Sequence, residues 1–362
     1  MIGMLTRHST SMTFAPPKAA VDYGYVNDYV VMERARTVSD QLVLLMPNLP
    51  DDVVALAREL APSGYRIEVA DLTEDRDHAL ASMARADYLL GFPYHLDEEA
   101  FTAAGKNVKL IQLLSAGFDE IDVQAAAAHG MPVATNGGAN AVAVSEHAVM
   151  LMLAALKRLP AMTAAVLDDR WPVPNTYSSG IFELRGKSVG LVGLGQIGRR
   201  VAELCRAFGA TVSYYDVFRP DPAVERDLDV TYAELDELLA NSDVVSLHLP
   251  LSERTEHMIG ERQFAVLKPG AVLVNTARGQ LIDEVALLAA LDIGTVRAAA
   301  LDTFAVEPAA PGDNLLVGHP RVIATPHSAG STWDSWYARL NNGFANISAV
   351  SAGDSPRWKV SP

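Results

Sequence analysis

Cysteine is almost missing from this chain of 362 residues: Cys205 stands alone. A single thiol excludes an intrachain disulfide and a zinc site built from cysteines, and no metal is expected. Cys205 lies between Leu204 and Arg206 in a helical pattern and reads as a small buried filler. Long apolar runs are missing as well. The longest uninterrupted one, Ala148 to Leu156, falls far short of the ~18 residues that span a bilayer. The N-terminus has no apolar segment of the secretory kind. Residues 1–39 are expected to be an extension outside the folded body, with Arg7 and Lys18 the only basic residues of its first 21. Basic residues are in deficit, 29 against 44 acids, for a net charge of −15. That balance disfavours a polyanion such as nucleic acid and leaves anion binding to a local focus of positive groups. A cytoplasmic protein with no membrane or nucleic-acid partner is expected.

Apolar residues make up 49% of the chain and charged ones 20%, enough for two cores at the usual domain size. From about residue 40, short apolar runs alternate with helical patterns. Strands are expected at Leu42–Met46, Arg66–Ala70, Tyr88–Leu90, Lys109–Leu113 and Pro132–Thr135, with helices at Asp51–Leu60, Arg76–Ala84 and Asp122–His129. A long helix, Ser145–Leu159, leads into the proline-bearing loop Asp168–Gly180. A second alternation follows. Its strands are Val189–Val192, Thr211–Tyr215, Val244–Leu249, Ala271–Asn275, Arg297–Leu301 and Val322–Ala324, and its helices are Gly195–Phe208, Tyr232–Leu239, Glu261–Val266 and Asp283–Leu291. Strands alternating with helices imply an α/β protein with two doubly wound parallel sheets.

Gly193, Gly195 and Gly198 follow an apolar strand and open a helix. In that setting the first glycine permits a tight turn, the second lets a pyrophosphate approach the backbone, and the third lets helix and strand pack closely. The helix N-terminus then offers free N–H groups to phosphate. Asp216 ends the next strand, 18 residues past Gly198 (216 − 198). A carboxylate there accepts from ribose hydroxyls and repels a 2′-phosphate, so NAD is favoured over NADP, although nearby Arg219 keeps NADP open.

Ligands of parallel sheets sit beyond the carboxyl ends of the strands. His248, Arg278, Asp302 and His327 each follow a strand, so topology carries them to one rim. A 2-oxo acid presents a carboxylate, which suits the planar fork of Arg278, unless that arginine only makes a surface salt bridge. Its carbonyl oxygen needs a proton donor during hydride transfer, and His327 titrates near working pH. Glu307 either orients that imidazole and raises its pKa or is a solvated carboxylate in a proline-rich loop.

The segments VGLVGLGQIG (189–198), LHLP (247–250), NTARG (275–279), ALDTFAVEP (300–308) and TPHSAG (325–330) together resemble the D-isomer-specific 2-hydroxyacid dehydrogenase family over about residues 40–362. The resemblance implies a catalytic trio of Arg278, Glu307 and His327. It implies a substrate loop, Ser115, Ala116 and Gly117, whose amides meet the carboxylate. Gln196, Ile197, His248, Pro250, Thr255, Thr276, Ala277, Asp302 and Gly330 would join the glycines and Asp216 in lining the cofactor, Asp302 near the nicotinamide amide. A Rossmann NAD-binding domain over 144–325 would be inserted into a discontinuous flavodoxin-like substrate domain, 40–143 with 326–362. A homodimer built around the 145–159 helix is implied too. Phe92 and Tyr94 depart from the short polar loop expected there and either shape the substrate pocket or pack, and the same holds for Trp333 and Trp336. Formate dehydrogenase, which resembles this chain, has glutamine at the Glu307 position. Phosphite dehydrogenase and the NADH-sensing corepressors keep the trio, so both stand as alternative functions.

Overall fold

The computed structural model describes residues 40–47, 49–168 and 180–361; the extension over 1–39 and the interior of the 168–180 loop lie outside the described residues. The first sheet is built from β1 Gln41–Leu45, β2 Tyr65–Val69, β3 Tyr88–Gly91, β4 Leu110–Leu113 and β5 Val133–Ala134. All are parallel, in the order β2-β1-β3-β4-β5, the flavodoxin-like doubly wound arrangement. Successive residues of a strand face opposite ways, and here both faces are apolar. Leu42, Leu44, Leu89 and Ile111 pack under α2 Arg76–Met83, α3 Glu98–Ala104 and α4 Val123–Ala128. Val43, Leu45, Leu90 and Leu110 face α1 Asp51–Leu60 on the other side. Each such leucine or valine is buried almost completely, worth about 1.5–3 kcal/mol by transfer.

After β5 the chain crosses to a second unit through α5 Ala141–Lys157 and α6 Leu159–Leu167. The second sheet comprises β6 Ser188–Val192, β7 Thr211–Tyr215, β8 Val230–Tyr232, β9 Val244–Leu247, β10 Ala271–Asn275, β11 Val296–Leu301 and β12 Val322–Ala324. Its order, β12-β11-β10-β9-β6-β7-β8, is the Rossmann order with one further strand. One face packs on α5 and α7 Gln196–Ala207, where Cys205 is fully buried and its thiol pushed up to about 12 by that burial. The other face meets α9 Leu235–Asn241, α10 Glu261–Val266 and α11 Glu284–Ile293; α8 Pro222–Leu228 precedes β8. After β12 the chain crosses back. Helix α12 Trp333–Ser351 lays Leu340, Phe344 and Ile347 against the first sheet beside α1.

Five elements differ from the sequence-based expectation, among them α6, for which no helix was expected beyond Leu159. Helix α5 starts four residues before Ser145 and stops at Arg158, whose left-handed φ of 54° separates it from α6. Tyr232 ends an edge strand instead of opening a helix. Helix α3, seven residues long and capped by the Asp97 side chain, was not anticipated, nor was α8.

Candidate active site

The order of the second sheet reverses between β6 and β9, and the glycine turn lies at that switch point. Gly193 holds φ 102°, and a Cβ there would fall 2.5 Å from the His248 carbonyl oxygen. A Cβ on Gly198 would meet the Gly193 oxygen at 2.2 Å, so helix and strand close only without side chains. A Cβ on Gly195 would meet nothing within 4 Å: it would project into open crevice. No side chain caps the N-terminus of α7. Among the described residues, His248 Nε2 beside it and Thr276 Oγ1 at the end of β10 are buried without a partner, and burial holds the His248 pKa down to about 3, a neutral imidazole. Free amides, a space that a Cβ would fill and two unpartnered polar atoms fit a pyrophosphate-containing cofactor.

Asp216 accepts from the Leu194 amide (2.8 Å) and the Phe218 amide (3.0 Å), one on each oxygen, which leaves a lone pair on each for ribose hydroxyls. Arg219 is committed elsewhere. It binds Glu225 at 2.8 Å and lies 4.4 Å from the centre of the Tyr232 ring. The cation that sequence alone left open to a 2′-phosphate therefore has partners, which favours NAD.

Several of the expected cofactor contacts also make bonds within the protein. The Thr255 hydroxyl donates to the Pro250 carbonyl (2.9 Å) and accepts from the Ser252 amide (2.8 Å), closing its own turn. Ala277 donates its amide to Asn275 Oδ1 (3.0 Å), and Asn275 Nδ2 donates to the Arg278 carbonyl (2.7 Å), so a buried asparagine shapes the turn that carries the arginine. Asp302 is fully buried. It accepts from the Thr325 hydroxyl (2.5 Å) and from the Ser328 (3.0 Å) and Ala329 (2.8 Å) amides, while its carbonyl accepts from the His327 amide (2.7 Å). His147 of α5 reaches the same Thr325 hydroxyl at 3.1 Å. This clamp holds the His327 backbone at φ 50°. Gly330 accepts from Arg339 at 2.5 Å and belongs to the packing of α12.

The loop so held places His327 Nδ1 2.7 Å from Glu307 Oε2, and the other Glu307 oxygen accepts from the Phe304 amide (2.9 Å). The hydrogen bond to Glu307 raises the His327 pKa against the opposing effect of burial. Burial would raise Glu307, but the bonds from His327 and the Phe304 amide outweigh it and lower that carboxyl. Both shifts favour an imidazolium beside a carboxylate.

Arg278 faces His327 and Glu307 across one cavity of about 650 Å³. It is held by Asp119, a residue for which sequence gave no role. Nε lies 2.9 Å from Asp119 Oδ2 and Nη2 lies 3.0 Å from Oδ1, and Nη1 donates to the Ala277 carbonyl (2.9 Å). Burial would lower the guanidinium pKa, but Asp119 outweighs it. Of the five N–H groups, one on each terminal nitrogen is left for a ligand among the described residues. The substrate-loop glycine makes room: a Cβ on Gly117 would lie 1.9 Å from Arg278 Nη2.

Among the described residues the amides of Ala116 and Gly117 have no acceptor. Ser115 Oγ donates to the Gly117 carbonyl (2.6 Å) and accepts from the Tyr94 hydroxyl (2.8 Å). Tyr94 thus braces the loop from behind, and it is not among the residues lining the cavity. Phe92 and Trp336 pack edge to face at 6.0 Å within the α12 core, with Trp333 against the same core.

The model of the NAD-binding domain of D-isomer specific 2-hydroxyacid dehydrogenases matches residues 149–329, half of the chain. The chain belongs to that family. It is 40% identical over 286 residues to D-3-phosphoglycerate dehydrogenase of Mycobacterium tuberculosis, covering 77% of this chain and 53% of that one. It therefore spans about half the length of that relative. Hydroxypyruvate reductase of Thermotoga maritima is 38% identical over 76% of this chain and 88% of its own. Among solved structures, D-lactate dehydrogenase from Aquifex aeolicus, complexed with NAD and lactic acid, superposes with a TM-score of 0.75 at 29% identity over 86% of this chain and 96% of that one. NAD is the family's cofactor, and Gly193–Gly198, His248 and Thr276 are the residues of this chain suited to hold it.

Proposed function

We propose that the protein interconverts a small 2-oxo acid and its D-2-hydroxy acid, using NAD. The observation that carries this reading is the Glu307–His327 pair facing a forked cation in one cavity at the strand ends. NAD, when bound, supplies or takes the hydride. The outer N–H groups of Arg278 and the free amides of Ala116 and Gly117 hold the substrate carboxylate. His327 carries the proton on Nε2 and gives it to the carbonyl oxygen as charge develops there; in the reverse direction it takes the proton back. Glu307 keeps the ring oriented and protonated through Nδ1.

Reduction needs the imidazolium, so activity is present below the raised His327 pKa and is lost as pH rises through it. Glu307→Gln removes the partner that raises it. The alkaline limb of kcat/KM for reduction should therefore move to lower pH, by about one unit. An unmoved limb would leave Glu307 a structural residue.

The cavity also bears on the substrate's far end. It is lined by the carboxylates of Asp119, Glu120, Asp122 and Glu307, and among the described residues Arg278 is its one lysine or arginine. A terminal phosphate would meet like charge with no lysine or arginine beyond Arg278 to receive it. Hydroxypyruvate or glyoxylate should be reduced with at least about tenfold greater kcat/KM than 3-phosphohydroxypyruvate, since one such repulsion exceeds about 1.4 kcal/mol at close range. A steady-state screen of 2-oxo acids with NADH and NADPH tests this. Preference for the phosphorylated acid refutes the uncharged-end assignment; NADH binding with no turnover of any acid indicates a nucleotide-sensing protein instead.

A homodimer is part of the proposal. Support comes from an exposed apolar row along α5 and α6, with Val142, Met150, Leu159, Val166 and Leu167 unburied in the single chain.

A further inference from the structure

A second cavity, of about 240 Å³, lies between the two units and apart from the catalytic one. On one side stand Gly195, Gln196 and Ile197 of the dinucleotide turn. Opposite are Ala116 of the substrate loop, Gly137 of the first crossing, and Trp358 from the tail that follows α12. No chemistry described so far uses Trp358.

The tail is mounted with care for so short a segment. Trp358 holds φ 54°, left-handed backbone that a bulky side chain rarely adopts, so its surroundings must impose it. They do so from both sides. Before it, the Arg357 amide donates to Asn346 Oδ1 (2.9 Å), and Asn346 Nδ2 donates to the Arg357 carbonyl (3.0 Å). Asn346 is itself buried in α12 and also donates to Gln112 Oε1 (2.8 Å). At and after it, the Thr135 amide donates to the Trp358 carbonyl (3.2 Å) and the Val360 amide to the Val133 carbonyl (2.8 Å), pairing the tail with β5. The indole then lies flat on Gly137, where a Cβ would come within 2.3 Å of the ring. Such a mount exceeds what burying an apolar ring requires, because the ring is left half-buried with the cavity beside it.

The cavity runs from the turn that receives pyrophosphate to the loop that receives substrate. The nicotinamide end of a dinucleotide must follow that line, since hydride passes to the substrate. We infer that Trp358 is a cofactor-binding residue, its indole forming the wall of the crevice against which the nicotinamide–ribose half of NAD rests. This rests on the NAD reading of the glycine turn.

The test measures binding directly. NADH affinity is titrated by calorimetry for the full-length wild type and for Trp358→Ala, Trp358→Asn and Trp358→Phe, with AMP as a ligand lacking the nicotinamide half. Asparagine tolerates left-handed backbone, so it removes the ring without adding strain. The Ala and Asn variants should bind NADH about tenfold more weakly and AMP unchanged, with Phe recovering most of the loss. In the wild type, NADH should also quench a component of tryptophan emission that is missing from Trp358→Phe, a readout that survives if the smaller variants misfold. Wild-type affinity for NADH in folded Ala and Asn variants, equal weakening toward AMP, or an unchanged quench in Trp358→Phe overturns the inference while the NAD reading stands. A wild type that binds no NADH overturns both.

Discussion

Replacing His327 by asparagine is expected to lower kcat for 2-oxo acid reduction by about 10²- to 10⁴-fold, the usual contribution of a positioned acid. Asparagine tolerates the left-handed backbone of this position and keeps the amide bond to the Asp302 carbonyl, so the loop should hold its course. What disappears is the one ring that is both paired with Glu307 and open to the cavity. NADH affinity should stay within about twofold, because the dinucleotide cradle is built from β6, β9 and β10 and does not include this side chain. Single-turnover reduction under excess NADH separates the two effects. Full activity in the variant would remove His327 from the chemistry altogether.

Arg278→Ala is expected to cost about 10³-fold in kcat/KM, most of it in KM. Two charge-assisted bonds to a carboxylate are lost, each worth about 1.5–3 kcal/mol. The loss goes further here than deletion of a ligand, because Asp119 remains in the cavity without its cation and repels the substrate carboxylate. Arg278→Lys should recover little, since a single ammonium cannot reach Asp119 sideways and a carboxylate end-on at once. Removing Asp119 as well should restore part of the loss, and the double-mutant cycle measures how much of the deficit is repulsion. Equal weakening of NADH and substrate by Arg278→Ala would contradict the assignment of this guanidinium to substrate.

Much of the fold is legible in the chain because local signals agree. Helix α1 has the expected bounds, Asp51 to Leu60, because two acids open it, apolar residues recur at helical spacing, and Gly64 follows soon after. Strands buried on both faces announce themselves as unbroken apolar runs such as Val189–Val192. Short elements fail this test. Helix α3 offers only seven residues, and β8 is a three-residue edge strand whose Tyr232 reads equally well as the start of the following helix. Helix α6 is apolar with none of its residues buried, so it lacks the polar face that marks an amphipathic helix.

The candidate site divides along the same physical line. Strand-end placement brings Arg278 and His327 to one rim through topology, and topology is written in the alternation of strands and helices. Side-chain direction is not. Asp302 ends its strand like the others, yet it turns inward to hold the His327 loop. Asp119 and Arg278 stand 159 residues apart, and nothing near either one signals the pairing. Thr255 and Gly330, placed at the cofactor by the family resemblance, also make local bonds that no sequence pattern announces.

The position of His327 has one more consequence. It stands in the stretch where the chain returns from the second sheet to the first, between β12 and α12, and the arginine opposite is gripped by an aspartate rooted in the other unit. The second unit carries Arg278, Glu307 and His327 at its strand ends, but the aspartate that sets the arginine and the amides facing it belong to the first. The grip on the arginine is completed only along the seam, so the second unit alone would carry these side chains without the partner that sets one of them. Recombination between relatives would have to exchange both sides of the seam together to keep it.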